Sequence, residues 1–328
     1  MGHALFSARL LLLLSLLWSG LQPAFAQAPA AAPLPLVAAQ HSDHARHAML
    51  LAAARAGARI VTVGDHGVVL LSDDNGKTFR QARKVPIDST LTGVAFVDAQ
   101  KGWAVGHWGA ILHSDDGGET WALQRSDLAT DRPLFAVHFF DAQRGVAVGL
   151  WSLLLRTEDG GRQWQTVTPP LPQGASKADL NLYGLFADAK GRLYAAAEKG
   201  NLLRSDDFGR NWVYLPTGYK GSLWTGLAGA DGSLFAAGLR GSLFRSVDDG
   251  RSWTALTTGS TSSISAMAQV GSDLVAVGAD GLLLRSSDGG KTFKAAARAD
   301  RLSLTAVIGA VDGSTVLFSR QGVVDAKP

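Results

Sequence analysis

The chain has 328 residues, of which 46% are hydrophobic and 18% charged, and its formal net charge is +3. This is the composition of a globular protein with enough apolar residues for a sizeable core. The near balance of 31 basic and 28 acidic residues excludes the strong positive field of a nucleic-acid-binding protein. The chain has no cysteine, which excludes disulfides, thiol catalysis and cysteine-ligated zinc.

The N-terminus has the pattern of a secretory signal peptide over residues 1–26. Arg9 precedes the apolar run LLLLLSLL (10–17), and the small-x-small sequence AFA ends at Ala26. The run is well short of the ~20 residues that a membrane-spanning helix needs, so a membrane anchor is the less favoured alternative. We expect an exported protein, in the periplasm of a Gram-negative bacterium and free or membrane-associated, whose mature residues 27–328 form a single domain.

Two segments precede the first repeat. Residues 33–40, PLPLVAAQ, are predicted to form a strand. The following HSDHARH contains four candidate metal ligands, His41, Asp43, His44 and His47. Their three-residue spacing would cluster imidazoles on a helical turn and could hold a divalent metal. A solvated linker is the favoured interpretation, so we predict no metal site and no cofactor.

An acidic octet recurs six times from residue 49 to residue 297. The copies are SDDNGKTF (72–79), SDDGGETW (114–121), TEDGGRQW (157–164), SDDFGRNW (205–212), SVDDGRSW (246–253) and SSDGGKTF (286–293). Their terminal aromatic residues are 40 to 48 residues apart. A period near 40 residues that carries several short strands is typical of β-propeller blades.

Each repeat reads as four antiparallel strands. A short strand is followed by an alternating apolar strand, a Gly-x-x-Gly-like turn, a third strand, the octet and a fourth strand. The chain after residue 297 holds three more strands and no octet. We therefore predict an all-β, seven-bladed β-propeller of four-stranded blades. The strand at 33–40 is expected to complete the C-terminal blade, because closure of the ring removes an open sheet edge.

The octets are expected to be structural turns between third and fourth strands. The first residue, serine or threonine, and the fifth, glycine, suit a tight turn. The third is always aspartate, whose carboxylate can accept backbone N–H groups. The structural aspartates are Asp74, Asp116, Asp159, Asp207, Asp248 and Asp288. Because they lie on six blades, they cannot converge on one substrate, and a catalytic pair or calcium loop is disfavoured.

The octets resemble S-x-D-x-G-x-T-W, the Asp-box or bacterial-neuraminidase (BNR) repeat found in sialidases, some glycoside hydrolases, sortilin-type receptors and the photosystem II stability/assembly factor family. The blade consensus aVgxxGxLlrSxDGGxtW, in a single exported propeller, most resembles the last family over nearly the whole mature chain. The resemblance implies a lumenal or periplasmic scaffold that helps a membrane complex to assemble and has no chemistry of its own. For the photosynthetic members of the family, the resemblance implies a role in photosynthesis.

One segment departs from the pattern of that family. Its photosynthetic members share an arginine-rich stretch between two central blades that is thought to contact a reaction-centre subunit. The corresponding segment here, residues 215–227, offers only Lys220. Similar chains also occur in bacteria without photosystems, so the client of this protein stays open.

Catalytic patterns are weak, and we predict that the protein is not an enzyme. The nearest string to the Arg-Ile-Pro motif of sialidases is Asp131-Arg132-Pro133, and none of the four tyrosines stands beside a plausible glutamate. Candidate acids outside the octets lie in turns of different blades, at Asp65, Glu198 and Asp280. A carbohydrate-active propeller, glycosidase-like or sialidase-like, and a receptor for an exported peptide remain the alternatives.

The turns between second and third strands are the predicted partner-binding surface. Their flanking glycines mostly repeat while their interior residues vary, as expected for a surface that meets an asymmetric partner. The predicted rim residues are His66, His107, Trp108, Trp151, Lys199, Arg240 and Arg320, with Lys220 beside them. Exposed tryptophan and arginine are enriched at interface hot spots. Ordinary hairpin tips with unrestricted sequence are an equally compatible interpretation.

Two further features complete the expectations. The long connection at residues 168–180 should stand on the same face as the rim residues, since loops of this length are often functional. A basic series before the octets, Arg156, Arg204, Arg245 and Arg285, is interpreted as structural stacking between blades. The expected partner is a membrane-protein complex or its exported segment, with no nucleic acid bound, and the protein is expected to be a monomer that does not itself span the membrane.

Overall fold

The computed structural model describes residues 36–325. The predicted signal peptide, residues 1–26, lies outside the described residues. Within them the chain forms seven antiparallel sheets, in each of which the strands pair in sequential order. Each sheet is one blade of a propeller, and this confirms the predicted all-β, seven-bladed fold.

The strands are short. Blades one to three contain β1 (Leu50–Ala56), β2 (Arg59–Gly64), β3 (Val69–Ser72), β4 (Arg80–Gln81); β5 (Leu91–Phe96), β6 (Gly102–Gly106), β7 (Ile111–Ser114), β8 (Ala122–Arg125); β9 (Leu134–Phe139), β10 (Gly145–Gly149), β11 (Leu154–Thr157) and β12 (Gln165–Thr166). Blades four and five contain β13 (Leu182–Ala187), β14 (Leu193–Ala197), β15 (Asn201–Ser205), β16 (Val213–Pro216); β17 (Leu223–Ala228), β18 (Leu234–Gly238), β19 (Leu243–Ser246) and β20 (Thr254–Ala255). Blades six and seven contain β21 (Ile264–Val270), β22 (Asp273–Gly278), β23 (Leu282–Ser286), β24 (Lys294–Ala297); β25 (Leu304–Gly309), β26 (Thr315–Ser319) and β27 (Gly322–Val323).

One short 3-10 helix precedes the first strand, and others connect second and third strands. They are Ala45–His47, Asp65–Gly67, His107–Gly109, Leu150–Ser152, Leu239–Gly241 and Ala279–Gly281. No helix in the described part of the chain has the length and apolarity that a bilayer crossing requires.

The ring closes by packing of the last blade against the first. The innermost strand of each blade packs beside the innermost strands of its two neighbours, and β25 packs beside β1 in the same way. The Thr305 hydroxyl donates a hydrogen bond to the Leu50 carbonyl across this junction.

The structure does not show the fourth strand that was predicted for the last blade. Among residues 36–325 that blade has three strands, and residues 36–40 have no strand conformation, while residues 33–35 of the predicted strand lie outside the described part of the chain. Instead, the Ala39 N–H donates to the Val85 carbonyl of the first blade at 3.1 Å. The chain then reaches the last blade through the 3-10 helix Ala45–His47, where a Cβ added to Gly322 would lie 1.8 Å from the Arg46 carbonyl oxygen.

The core lies between the blades. The second strands, such as β6 and β10, are continuous apolar runs that are buried along their whole length, as expected for strands covered on both faces. Seven buried clusters fill the seven interfaces between adjacent blades. The terminal aromatic residues of the octets join these clusters: Phe79 packs edge-on against Phe318 of the last blade, with 5.8 Å between ring centroids.

Candidate functional site: the turn face of the propeller

Each acidic octet forms the turn between the third and fourth strands of its blade. In the fifth blade the Ser246 hydroxyl donates to Asp248 Oδ1 at 2.8 Å and accepts the Gly250 N–H at 2.9 Å. The Asp248 carboxylate also accepts the N–H and the hydroxyl of Ser252, at 2.9 and 2.6 Å. The first two bonds recur in all six octets. Each turn is therefore closed by donors and acceptors of its own octet.

The octet aspartates are strongly ionised. All six have a pKa below the usual value. Hydrogen bonds from the Thr78 hydroxyl and N–H lower the pKa of Asp74 to about 2, and those from Ser252 lower the pKa of Asp248 to about 2. A general acid or base works best with a pKa near the operating pH, so these carboxyls are unsuited to that role.

Octet carbonyls also join neighbouring blades. Side chains of one blade donate to the carbonyl of the fourth residue of the next octet in five bonds of 2.9 to 3.2 Å: Arg59 to Gly117, Trp103 and Gln124 to Gly160, Arg156 to Phe208 and Arg204 to Asp249. The structure thus gives Arg156 and Arg204 the predicted contact between blades. Arg245 and Arg285 form ion pairs with Asp231 and Asp273 of their own blades.

The turns between second and third strands lie at the opposite end of the blades from the octets, beside the connections between blades. In every blade the first N–H of this turn donates to the carbonyl just before the innermost strand, at 2.9 to 3.3 Å. The seven pairs are Asp65 to Met49, His107 to Thr90, Leu150 to Pro133, Glu198 to Asn181, Leu239 to Ser222, Ala279 to Ser263 and Arg320 to Ser303. This bond holds each turn against its own inner strand, and we call the surface so formed the turn face.

The close approach explains the glycine that ends most second strands. A Cβ added to Gly149 would lie 2.1 Å from the Pro133 carbonyl oxygen. Ala197 and Ser319 occupy this position in the fourth and seventh blades. Their turns make the two longest of the seven bonds, at 3.3 and 3.2 Å, because a side chain there keeps the two segments further apart.

In six of these turns the second residue, directly after the one whose N–H bonds to the inner strand, has a positive φ although it is not glycine. The six are His66, Trp108, Trp151, Lys199, Arg240 and Asp280, with φ between 51° and 57°. This left-handed conformation costs a residue with a side chain ~1–2 kcal/mol. Non-glycine residues held in it cluster at functional sites. The repeat therefore carries five different types of side chain, with tryptophan twice, at six equivalent strained tips of the turn face.

The predicted rim residues lie on these turns. His66, Trp151, Lys199, Arg240 and Arg320 are exposed, while His107 and Trp108 are half-buried. Lys220 is exposed on the connection from the fourth blade to the fifth. Trp151 keeps 56% of its surface exposed, which is unusual for so large an apolar side chain.

Both tryptophan turns are held by the connection between the second and third blades. Asp131 accepts the Trp108 N–H at 2.7 Å and lies 3.0 Å from His107 Nδ1. The Arg132 guanidinium donates to the Trp151 carbonyl at 3.4 Å. Residues 131 and 132 therefore link the turns of the second and third blades into one aromatic and basic region.

The long connection at residues 168–180 covers one side of the fourth blade. Together they enclose a groove of about 820 Å³. Lys199 and Lys220 line this groove beside Leu171 and Tyr214. The connection therefore adjoins the turn face, as its length suggested, and brings two rim lysines to one groove.

The acids considered for a glycosidase are held apart, each within its own surroundings. Asp65 accepts the Thr90 hydroxyl at 2.9 Å and Asp280 accepts the Ser262 hydroxyl at 2.8 Å. The expectation that no tyrosine stands beside a glutamate is wrong, because the Tyr183 hydroxyl donates to Glu198 Oε1 at 3.1 Å. Burial raises the pKa of Tyr183, which is opposite to what an activated nucleophile needs.

The histidine-rich segment forms no metal centre among residues 36–325. No group of three or more histidine, aspartate or glutamate side chains there is arranged to hold an ion. The His41 ring lies 3.2 Å from the Arg83 carbonyl of the first blade.

Fold and turns together define a seven-bladed β-propeller whose blades are each closed by a hydrogen-bonded acidic octet, except for the last. The family model for the photosynthesis system II assembly factor YCF48 matches residues 81–267. The chain belongs to this family. None of the curated proteins compared with the chain matches it.

Solved structures share the fold. The structure titled "YCF48 bound to D1 peptide" is 18% identical, with a TM-score of 0.69 over 88% of this chain and 98% of that chain. YCF48 from Cyanidioschyzon merolae is 16% identical, with a TM-score of 0.66 over 87% of this chain and 96% of that one. An extracellular domain of the one component system BT4673 from B. thetaiotaomicron is 13% identical, with a TM-score of 0.66 over 84% of this chain and 38% of that one. At these identities the likeness concerns the fold alone.

Proposed function

We propose that the protein is an exported, non-catalytic assembly or stability factor that binds a segment of a membrane protein through its turn face. Membership of the YCF48 family supports a binding role. A structure with the same fold is titled "YCF48 bound to D1 peptide". This supports the proposal that the protein binds a peptide segment of its partner.

The observation that carries the proposal is the contrast between the two ends of the blades. At one end the octets repeat the same closed hydrogen bonds, and their carboxylates are satisfied by their own turns. At the other end the same backbone geometry in six blades presents histidine, tryptophan twice, lysine, arginine and aspartate. A repeated scaffold with unlike exposed tips suits an asymmetric partner, and exposed Trp151 and Arg240 are residue types enriched at interface hot spots.

The client is proposed only as a membrane-protein segment. The segment 215–227 offers Lys220 as its one basic residue, so the arginine-rich contact expected of photosynthetic members is absent from it. Export to the periplasm rests on the signal-peptide pattern of residues 1–26. The class of client and the export to the periplasm are both parts of the proposal.

The test is crosslinking to membrane proteins in intact cells, using the double variant Trp108→Ala with Trp151→Ala. We expect the unaltered protein to capture a membrane-protein partner and the double variant to lose it. The matched control is Val247→Ala, which removes a 72% exposed side chain from an octet at the opposite end of the blades. Circular dichroism should show all variants folded.

Two outcomes would contradict the proposal. Capture of the same membrane protein by the folded double variant would exclude the turn face as the binding surface. Turnover of a glycan substrate that is lost in Asp65→Asn or Glu198→Gln would show that the protein is an enzyme.

A further inference from the structure

The innermost strands share a β-bulge at their second residue. In all seven blades the pairing register shifts at this position. The residues at the bulge are Leu51, Thr92, Phe135, Tyr183, Trp224, Ser265 and Thr305. A bulge changes the direction of the side chain it carries. All seven residues line one cavity of about 230 Å³ inside the ring, near the end of the channel where the inner strands begin, which is the turn face.

The cavity is asymmetric. Three consecutive blades contribute the aromatic residues Phe135, Tyr183 and Trp224, whereas the other four contribute leucine, threonine or serine. The rings of Phe135 and Tyr183 are stacked, with 5.6 Å between centroids and 23° between planes. All three aromatic side chains are half-buried, so part of each surface faces the cavity.

A carboxylate is fixed beside the aromatic side. Glu198 accepts the Asn181 side-chain amide at 2.9 Å and the Asn181 N–H at 3.1 Å, in addition to the Tyr183 hydroxyl. These three donors orient the carboxylate and none of them is charged. Lys199 follows Glu198 in sequence but lines the outward groove of the fourth blade.

The carboxylate has no counter-ion within the described structure. Among residues 36–325 Glu198 makes no ion pair, in contrast to Glu119 and Glu158, which both pair with arginine. None of the described residues that line the cavity is charged. A half-buried carboxylate that is held rigidly and left without a cation carries a desolvation cost, and a cation supplied by a ligand would offset it.

We propose that this aromatic half of the channel mouth, formed by Phe135, Tyr183 and Trp224 together with the Glu198 carboxylate that is hydrogen-bonded to Tyr183, binds the cationic side chain of a lysine or arginine in the partner segment. Aromatic faces attract cations through the ring quadrupole, and the carboxylate adds a charge-assisted hydrogen bond. This inference rests on the proposed function, because it names the side chain by which the segment would enter the turn face.

The experiment uses the protein labelled with 5-fluorotryptophan and followed by fluorine NMR. The Trp224 resonance is identified by its loss in Trp224→Phe. The probes are acetyl-glycyl-lysyl-glycinamide and the matched peptides with norleucine or glutamate in place of lysine. We expect only the lysine peptide to shift the Trp224 resonance saturably, and added salt to weaken this binding.

Variants separate the site from the rest of the ring. Glu198→Gln should weaken the lysine peptide roughly tenfold or more, since a charged acceptor is replaced by a neutral one. Phe135→Ala should also weaken it. Ser265→Ala, at the same bulge on the sixth blade, is the matched control and should bind as the unaltered protein does.

An equal shift with the norleucine peptide, or with a neutral sugar such as maltose, would overturn the inference, as would the absence of any shift. Failure of the cation site can be distinguished from failure of the proposed function. If Glu198→Gln still captures the membrane partner while the double variant of Trp108 and Trp151 loses it, only the cation site is wrong.

Discussion

Replacement of Ser246 with alanine tests whether the octets hold the blades together. Ser246 is 2% exposed, and its hydroxyl both donates to Asp248 and accepts the buried Gly250 N–H. Alanine would leave that N–H without a partner, and an unsatisfied buried donor costs about 1–3 kcal/mol. We expect the free energy of unfolding in urea to fall by ~2 kcal/mol with an unchanged denaturant slope, because the surface exposed on unfolding stays the same.

Two neighbouring variants make the assay specific. Val247→Ala alters a side chain that is 72% exposed and should change the free energy of unfolding by less than ~0.5 kcal/mol. Ser246→Thr should keep the stability, because Thr157 makes the same two bonds in the third blade, at 2.9 and 3.0 Å. Equal unfolding free energies for Ser246→Ala and Val247→Ala would refute the assignment of the hydroxyl as the closure of the turn.

Two further results are expected. The hydrogen bonds of the octet lower the pKa of Asp74 and of Asp248 from the ordinary 3.8 to about 2. Their contribution to stability is therefore present above about pH 4 and is lost as the pH falls towards about 2. Urea unfolding across this range measures the loss, and a free energy of unfolding that does not change with pH would contradict it. Gly149→Ala should lower the free energy of unfolding by ~1–3 kcal/mol, because its Cβ would overlap the Pro133 carbonyl. The control is Ala197→Gly at the equivalent position, which removes a Cβ and so creates no such overlap. If Gly149→Ala is as stable as Ala197→Gly, the close approach of the two segments is not required.

The repeated octet was sufficient to predict the blades because its hydrogen bonds are local. The Ser or Thr, Asp and Gly of one copy are within five residues of each other, and they close the same turn in six of the blades. The spacing between copies then leaves room for four short strands. Both statements need only the linear sequence, so the fold class and the positions of the turns follow from it.

The end of the ring was not predictable in the same way. The apolar pattern of residues 33–40 indicates a tendency to extend, but it does not identify a partner. In the described part of the chain the Ala39 N–H donates to the Val85 carbonyl, and the last blade has three strands. Which segment residues 36–40 contact depends on interactions between parts of the chain that are ~46 residues or more apart.

The sequence by itself determined that this protein is a ring of similar blades with conserved turn chemistry at one end and variable tips at the other. Only the tertiary structure decided that Trp108 and Trp151 sit at left-handed tips, that Tyr183 reaches Glu198, and that three aromatic residues share one side of the channel. The physical reason is that each of these features depends on a neighbouring strand, connection or blade. A bulge or a strained tip is created by pairing and packing across the ring, and the residue type alone does not specify it.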